Sequence, residues 1–188
     1  RIKLVYAASS TKFAEEGVNH SPYSYTKSQN INLIKALSTW FDLNYAICYF
    51  YNNYGPRQDT CNNGYETVVS IFEKQKLAGK KLTIVRPGIQ ERSYTHVSDT
   101  VEGIYKSYFY KENEEFQLSS DKSYNLFDLA KLFDQEYVLV KPRMGDRIKG
   151  TSPGLKIEIS KTKKKLKWKT SYDLKEWIKR NEKTKQKY

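Results

Sequence analysis

Apolar and polar positions along the chain fall into short blocks with distinct periods. Ile2-Lys-Leu-Val-Tyr-Ala7 is β-branched and apolar and stops at Ser9-Ser10. It reads as a short buried strand of a parallel sheet. Ser21-Pro-Tyr then opens a helix, with Ser21 as N-cap and Pro22 at the first helical position. The apolar stripe of that helix runs Ile34, Leu37, Trp40, Phe41. Tyr45–Tyr51 reads as a second strand, closed by the turn-rich Asn52-Asn-Tyr-Gly-Pro-Arg57. Strand, helix, strand in this order predicts an α/β parallel sheet.

Beyond that point the order is mixed. Val68, Ile71 and Phe72 mark a helix over 65–77, and Leu82–Val85 a short strand ended by Pro87-Gly88. A helix is expected over 98–110. Leu126, Leu129, Ala130 and Phe133 mark another, Tyr137–Val140 a strand, and Leu174, Trp177 and Ile178 a last helix. The polar tail 179–188 is expected to fray. There is no internal repeat, and the only low-complexity block is the Lys run at 161–169.

Composition bounds the function classes. With 38% hydrophobic and 14% aromatic residues among 188, the chain can build a core. No apolar run approaches the ~18 residues of a membrane span, so no membrane partner is expected. No secretory signal is expected either, because Arg1–Ala7 is too short for one. The net charge is +12, and all of it is C-terminal: residues 141–188 hold 17 basic and 5 acidic residues, whereas residues 1–140 balance. A nucleic-acid surface and a solvated Lys-rich face both fit this charge. No zinc-finger spacing or RNA-recognition motif accompanies it, so the solvated face is favoured and nucleic acid is not an expected partner. Cys48 and Cys61 have no metal-like spacing with each other or with His20 and His96. Two free thiols in a reducing cytoplasm, and no metal, are the expectation.

The candidate chemistry lies in Tyr23-Ser-Tyr-Thr-Lys27, preceded by Ser9-Ser10-Thr11 at the end of a strand. On a helix, residues i and i+4 share a face, so Tyr23 and Lys27 project together. An ammonium beside a phenol favours the phenolate. A hydroxyl donor at the strand end then completes a general acid/base suited to alcohol–ketone interconversion. A surface aromatic beside a solvated lysine would read the same from spacing alone.

Placement adds more. The segment Val5-Tyr-Ala-Ala-Ser-Ser-Thr-Lys-Phe13 is followed by Ser21-Pro-Tyr-Ser-Tyr-Thr-Lys27 and Phe50-Tyr-Asn-Asn-Tyr-Gly-Pro-Arg-Gln58. Then come Pro87-Gly-Ile-Gln-Glu-Arg-Ser-Tyr-Thr-His-Val-Ser-Asp99, Arg143-Met-Gly-Asp146 and Leu166-Lys-Trp-Lys169. In this order the motifs resemble the C-terminal part of an extended short-chain dehydrogenase/reductase of the NAD-dependent epimerase/dehydratase family. The resemblance covers almost the whole chain.

The resemblance implies the C-terminal part of a Rossmann-like doubly wound parallel sheet plus a small mixed α/β substrate domain. The dinucleotide-binding portion would span 1–62 and the nucleotide-sugar-binding portion 63–188, with part of 82–110 returning to the former. It implies Tyr23 as acid/base, Lys27 as its activator and a ribose contact, and Ser9 as the catalytic hydroxyl, with Ser10 and Thr11 assisting at the substrate. Tyr51 would line the nicotinamide of NAD, and Asn52 would contact the diphosphate of a UDP-sugar. Arg92, Arg143 and Asp146 would grip the nucleotide, since arginine forks suit phosphate oxygens and a carboxylate suits a ribose diol. The alternatives are a turn role for Asn52, a surface ion pair for Arg92, an Asx turn for Asp146 and packing for His96.

Ser9-Ser10-Thr11 also bears on the reaction. Related dehydratases place an acid pair at this strand end, and related decarboxylases carry Glu where this chain has Thr11. The hydroxyl-only version is similar to the 4-epimerases. Such an enzyme removes the C4 hydroxyl proton through Tyr23 and passes hydride from C4 to NAD. The ketone turns and hydride returns to its other face. A dehydratase or reductase of the same family, or a non-catalytic nucleotide-sugar-binding remnant, remains the alternative. The family's homodimer is expected for a full-length protein. One motif is missing: no G-x-x-G-x-x-G turn for the NAD pyrophosphate occurs in these residues. A chain that starts at Arg1 with a strand under way suggests a piece of a longer enzyme.

Overall fold

The computed structural model describes residues 2–58, 66–149 and 155–185, with side chains described except at 155–157 and 182–185. Cys61 lies outside the described residues. The chain runs β1 (Lys3–Ser9), α1 (Pro22–Phe41), β2 (Asn44–Phe50), α2 (Val68–Leu77), β3 (Leu82–Val85), β4 (Arg92–Ser93) and α3 (Val97–Phe109). It continues through β5 (Glu114–Leu118), β6 (Ser123–Tyr124), α4 (Leu126–Leu132), β7 (Tyr137–Val140), α5 (Leu155–Leu166) and α6 (Leu174–Lys185).

β1, β2 and β5 form a parallel sheet in that order, with Ser9 opposite Phe50 and Phe50 opposite Leu118. α1 covers one face. The Ser21 hydroxyl accepts the Ser24 amide at 3.2 Å, and Pro22 sits where no intrahelical donor is needed, so the helix starts as expected. Its buried side is set by Ile31 and Ile34 against Ala8, Ile47, Tyr49 and Tyr51. The expected stripe is corrected here. Only Ile34 of its four members is buried, and Trp40 and Phe41 at the helix end are 66% and 74% exposed. At this end of α1 the neighbouring contact is polar, with Asn113 Nδ2 donating to the Ser38 hydroxyl at 2.8 Å.

The other face is covered by α3, and by α5 beside it. Cys48, Phe116 and Leu118 pack there with Leu166 and Trp168. Asp99 locks this corner: its carboxylate accepts the Ser171 and Tyr172 amides at 2.9 and 3.2 Å, and its carbonyl accepts the Trp168 indole at 2.9 Å. Helices on both faces of a parallel sheet make the fold a doubly wound α/β structure.

A second core gathers α2, α4 and α6 around parallel β3–β7, through Phe72, Leu82, Ile84, Leu129, Phe133 and Ile178. β4 and β6 pair antiparallel at its edge. The two cores are zipped together beyond the end of β2. Thr95 donates to the Tyr51 carbonyl at 3.2 Å, Tyr54 to Thr95 at 3.1 Å, and Val97 to Tyr54 at 2.8 Å.

Two expected features change and two appear unannounced. α6 continues to Lys185, where a frayed tail was expected from 179. The Lys run forms α5, whose Ile159, Thr162 and Leu166 turn inward while Lys163 and Lys165 pair with Asp121 and Glu114. β5 and the β4–β6 pair were not foreseen. No described helix is long and apolar enough to cross a membrane.

Candidate active site

The sheet's C-terminal edge is where β1 ends at Ser9 and β2 leads into Tyr51 and Asn52. In open α/β sheets this edge holds the ligand. Ser9 is extended and buried, and it caps a short 3₁₀ turn over 10–13. Its Oγ accepts from the Thr11 amide at 3.2 Å and from the Thr11 hydroxyl at 3.0 Å. Both bonds are accepted, so the Ser9 O–H proton stays available to a substrate oxygen. Thr11 thus orients Ser9, and Ser10 beside it is buried.

α1 delivers Tyr23 and Lys27 to the same edge. The Lys27 ammonium donates to the Ala7 carbonyl at 2.8 Å. It stands 5.9 Å from the Tyr23 ring centre and 5.2 Å from that of Tyr6. One of its three donors is used by this anchor, and the aromatic faces steady the charge. Tyr23 is 55% exposed, open to a ligand.

Tyr51 is buried, and its hydroxyl donates to Gln117 Oε1 at 2.6 Å. Burial drives its pKa far up, so it is a neutral wall rather than a proton-transfer group. Asn52, at φ 33°, donates from Nδ2 to the Ser93 carbonyl at 2.8 Å. It fastens β4 beside the site, and with it Arg92.

Arg92 is buried, and its guanidinium serves the main chain. Nη1 donates to the Lys149 carbonyl at 3.0 Å and Nη2 to the Arg147 carbonyl at 2.7 Å. Burial and the neighbouring Arg147 charge push its pKa down to about 10, so it stays cationic near neutral pH. The Lys149 amide in turn donates to Glu16 Oε1 at 2.7 Å. Burial opposes ionisation of Glu16, but the Lys149 and Ile148 amides and the Arg92 charge outweigh it and hold its pKa below the usual carboxylate range. Segment 147–149 is therefore strapped across the cleft between β4 and the loop after β1.

Arg143 and Asp146 are placed elsewhere. They share an exposed turn in which Asp146 Oδ2 accepts the Arg143 amide at 2.7 Å and Oδ1 lies 3.7 Å from the Arg143 guanidinium. This is the Asx-type turn, with the Arg143 side chain 75% exposed. Arg147, one residue past the motif-matched Asp146, is half-buried. Its electrostatic partners are Glu16, Tyr51, Tyr23 and Tyr94.

His96 packs. Its ring stacks on Tyr172 at 4.0 Å, and its Nδ1 accepts the Ser98 amide at 3.2 Å. No cluster of metal-ligating side chains occurs among the described residues.

A doubly wound sheet with a serine, tyrosine and lysine gathered at its C-terminal edge defines a class: α/β proteins of the short-chain dehydrogenase/reductase type. The comparisons narrow it. The model of the NAD dependent epimerase/dehydratase family matches residues 4–118. The chain belongs to that family.

A putative UDP-glucose 4-epimerase from Methanocaldococcus jannaschii is 32% identical, covering 85% of this chain and 52% of the relative. UDP-glucuronic acid decarboxylase 6 from Arabidopsis thaliana is 30% identical, covering 70% of this chain and 38% of the relative. Among solved structures, a UDP-glucose 4-epimerase from Thermotoga maritima with UDP-glucose superposes with a TM-score of 0.79 at 26% identity. That superposition covers 94% of this chain and 61% of the other. The chain thus spans about half or less of the length of these curated relatives.

Proposed function

We propose that this chain is the catalytic-tyrosine and nucleotide-sugar-binding portion of an NAD-dependent UDP-sugar 4-epimerase. The observation that carries this reading is a strand end bearing hydroxyls and no carboxylate. Ser9 is oriented by Thr11, and Tyr23 and Lys27 stand on the facing helix. Glu16, the nearby carboxylate, is tied to the Lys149 amide. Domain division near residue 62, with α3 returning to the sheet, accompanies this reading. So does dimerisation of the longer protein through α1, whose Leu33, Trp40 and Phe41 are exposed.

The side chains fit the nicotinamide-ribose end of NAD, where Tyr23, Lys27 and Tyr51 would hold it. The glycine-rich turn for its pyrophosphate is not in this sequence. Bound NAD supplies a hydride acceptor and donor. Tyr23 takes the proton from the sugar C4 hydroxyl and later returns one. Ser9 donates its free O–H to the same oxygen, and Lys27 holds positive charge beside the phenol as it ionises.

A decarboxylase reading rests on the 30% identity to the plant enzyme. Against it stands Thr11, where the resemblance places a glutamate in decarboxylases. The test is to assay a protein that joins this chain to its dinucleotide-binding half. Interconversion of UDP-glucose and its C4 epimer, abolished by Tyr23→Phe with binding kept, supports the proposal. Carbon dioxide release from UDP-glucuronate without epimerisation would replace it.

A further inference from the structure

On the α1 side of the sheet lies a charge cluster that the reaction proposed above does not use. Glu115, half-buried on β5, accepts from the Tyr49 hydroxyl and pairs with Lys35 of α1. Lys12, three residues past Ser9, donates to the same Tyr49 hydroxyl at 2.9 Å and stands 3.5 Å from the Glu115 carboxylate. Tyr49 is wholly buried on β2, and its ring meets that of Phe13 edge-on at 4.8 Å. Burial and the adjacent carboxylate drive the Tyr49 pKa far up. It is therefore a neutral link that accepts from Lys12 and donates to Glu115.

Half-buried ion pairs add little to stability, because desolvation offsets their attraction. What such contacts define is where the attached backbone sits. Here each arm belongs to a different part of the candidate active site. Lys12 lies in the 3₁₀ turn over 10–13, next to Thr11, whose amide and hydroxyl both donate to Ser9 Oγ. Lys35 lies on α1, the helix that carries Tyr23 and Lys27. The turn that orients Ser9 and the helix that presents Tyr23 are thus fastened to one carboxylate on a third strand.

We propose that Lys12, through Tyr49 and Glu115, is a positioning residue. It holds the turn in which Thr11 aims the Ser9 hydroxyl, in register with the helix that brings Tyr23. This rests on the reaction proposed above and deepens it. One substrate oxygen must meet Ser9 and Tyr23 together, and a misplacement of about 1 Å can cost about 100-fold in rate.

Two measurements test it. On the chain itself, hydrogen exchange followed by mass spectrometry reports the turn directly. Lys12→Met removes one arm and leaves the Lys35–Glu115 pair in place. The amides of 10–14 should then exchange about tenfold faster, the effect of losing a charge-assisted bond. Those of α2, β3 and α4 should keep their wild-type rates.

The second measurement uses the protein joined to its dinucleotide-binding half. Lys12→Met should lower kcat for UDP-glucose epimerisation about tenfold or more with KM little changed, and Lys12→Arg should restore part of the rate. Ser9→Ala separates positioning from general damage. With the Ser9 hydroxyl gone, adding Lys12→Met should cost no further rate.

Unchanged exchange over 10–14 in Lys12→Met overturns the proposal. So does an undiminished further loss of rate in the Ser9→Ala background, which would mark an effect not routed through Ser9. A joined wild-type protein that turns over no nucleotide sugar overturns the reaction reading itself, and this assignment with it.

Discussion

The Lys27 ammonium donates to the Ala7 carbonyl at 2.8 Å, two residues before Ser9 on the same strand. One contact thus ties the Tyr–Lys helix to the strand that carries the serine. Lys27→Met removes both the charge beside Tyr23 and this tie. In an assembled enzyme, turnover is expected to fall about 100-fold or more, the scale of a lost acid/base contribution. Lys27→Arg keeps the charge and should retain part of the activity. Thermal melting should move little in both, since the bond is solvent-exposed. Full turnover in Lys27→Met would remove Lys27 from the proposed machinery.

Gly103 sits where α3 packs against Leu118 of β5. A methyl group there would stand 2.5 Å from Leu118 Cδ2, and Leu118 is fully buried. Gly103→Ala gains helix propensity but forces the packed leucine to shift. Overpacking of this kind costs about 1–3 kcal/mol, more than the ~1 kcal/mol that alanine gains over glycine in a helix. The variant should therefore unfold at lower urea concentration. A midpoint at or above wild type would show that the layer between α3 and the sheet is looser than its distances imply.

Cys48 lies on β2 in the same layer, wholly buried, with its Sγ 3.2 Å from the Ser107 hydroxyl. Burial pushes its thiol up to about 11. The thiolate is the reactive form, so alkylation at about pH 8 should proceed only as fast as the protein opens. Mass spectrometry should find Cys48 unmodified in the native chain and modified in urea. Prompt labelling without denaturant would contradict the packing of this face.

Much of this architecture was legible from period and punctuation. The limits of Leu82–Val85 and Tyr137–Val140 follow from short apolar runs between turn residues, and Ser21-Pro22 announces α1. What stayed hidden depends on distant partners. β5 opens with Glu114-Glu115, residues that argue against a strand until Lys165 and Lys35 are seen to neutralise them. In α5 the described side chains that turn inward, Ile159, Thr162 and Leu166, stand amid lysines whose charge run hides them in the sequence. The site divides the same way. Ser9, Tyr23 and Lys27 are set by local spacing and by one strand end. The backbone of 147–149 is held by Arg92 and Glu16, far away in sequence, which no local spacing announces.

Glu115 provides a pH test of the sheet's α1 face. Its carboxylate accepts from the Tyr49 hydroxyl, pairs with Lys35, and lies 3.5 Å from Lys12. Burial alone would raise its pKa. The bonds to Lys35 and Tyr49 and the Lys12 charge outweigh burial and leave it below the ordinary glutamate value. A carboxylate depressed on folding stabilises the protein above its unfolded pKa, and loses that contribution as pH falls through the folded one. Glu115→Gln should therefore be less stable than wild type near neutral pH. The gap should narrow once the pH drops below about 4.3, the ordinary glutamate value. Urea unfolding of both proteins from about pH 7 to about pH 3 measures it. A gap of constant size would mean that Glu115 acts through shape and hydrogen bonding alone, and that its charge contributes nothing to holding α1 on the sheet.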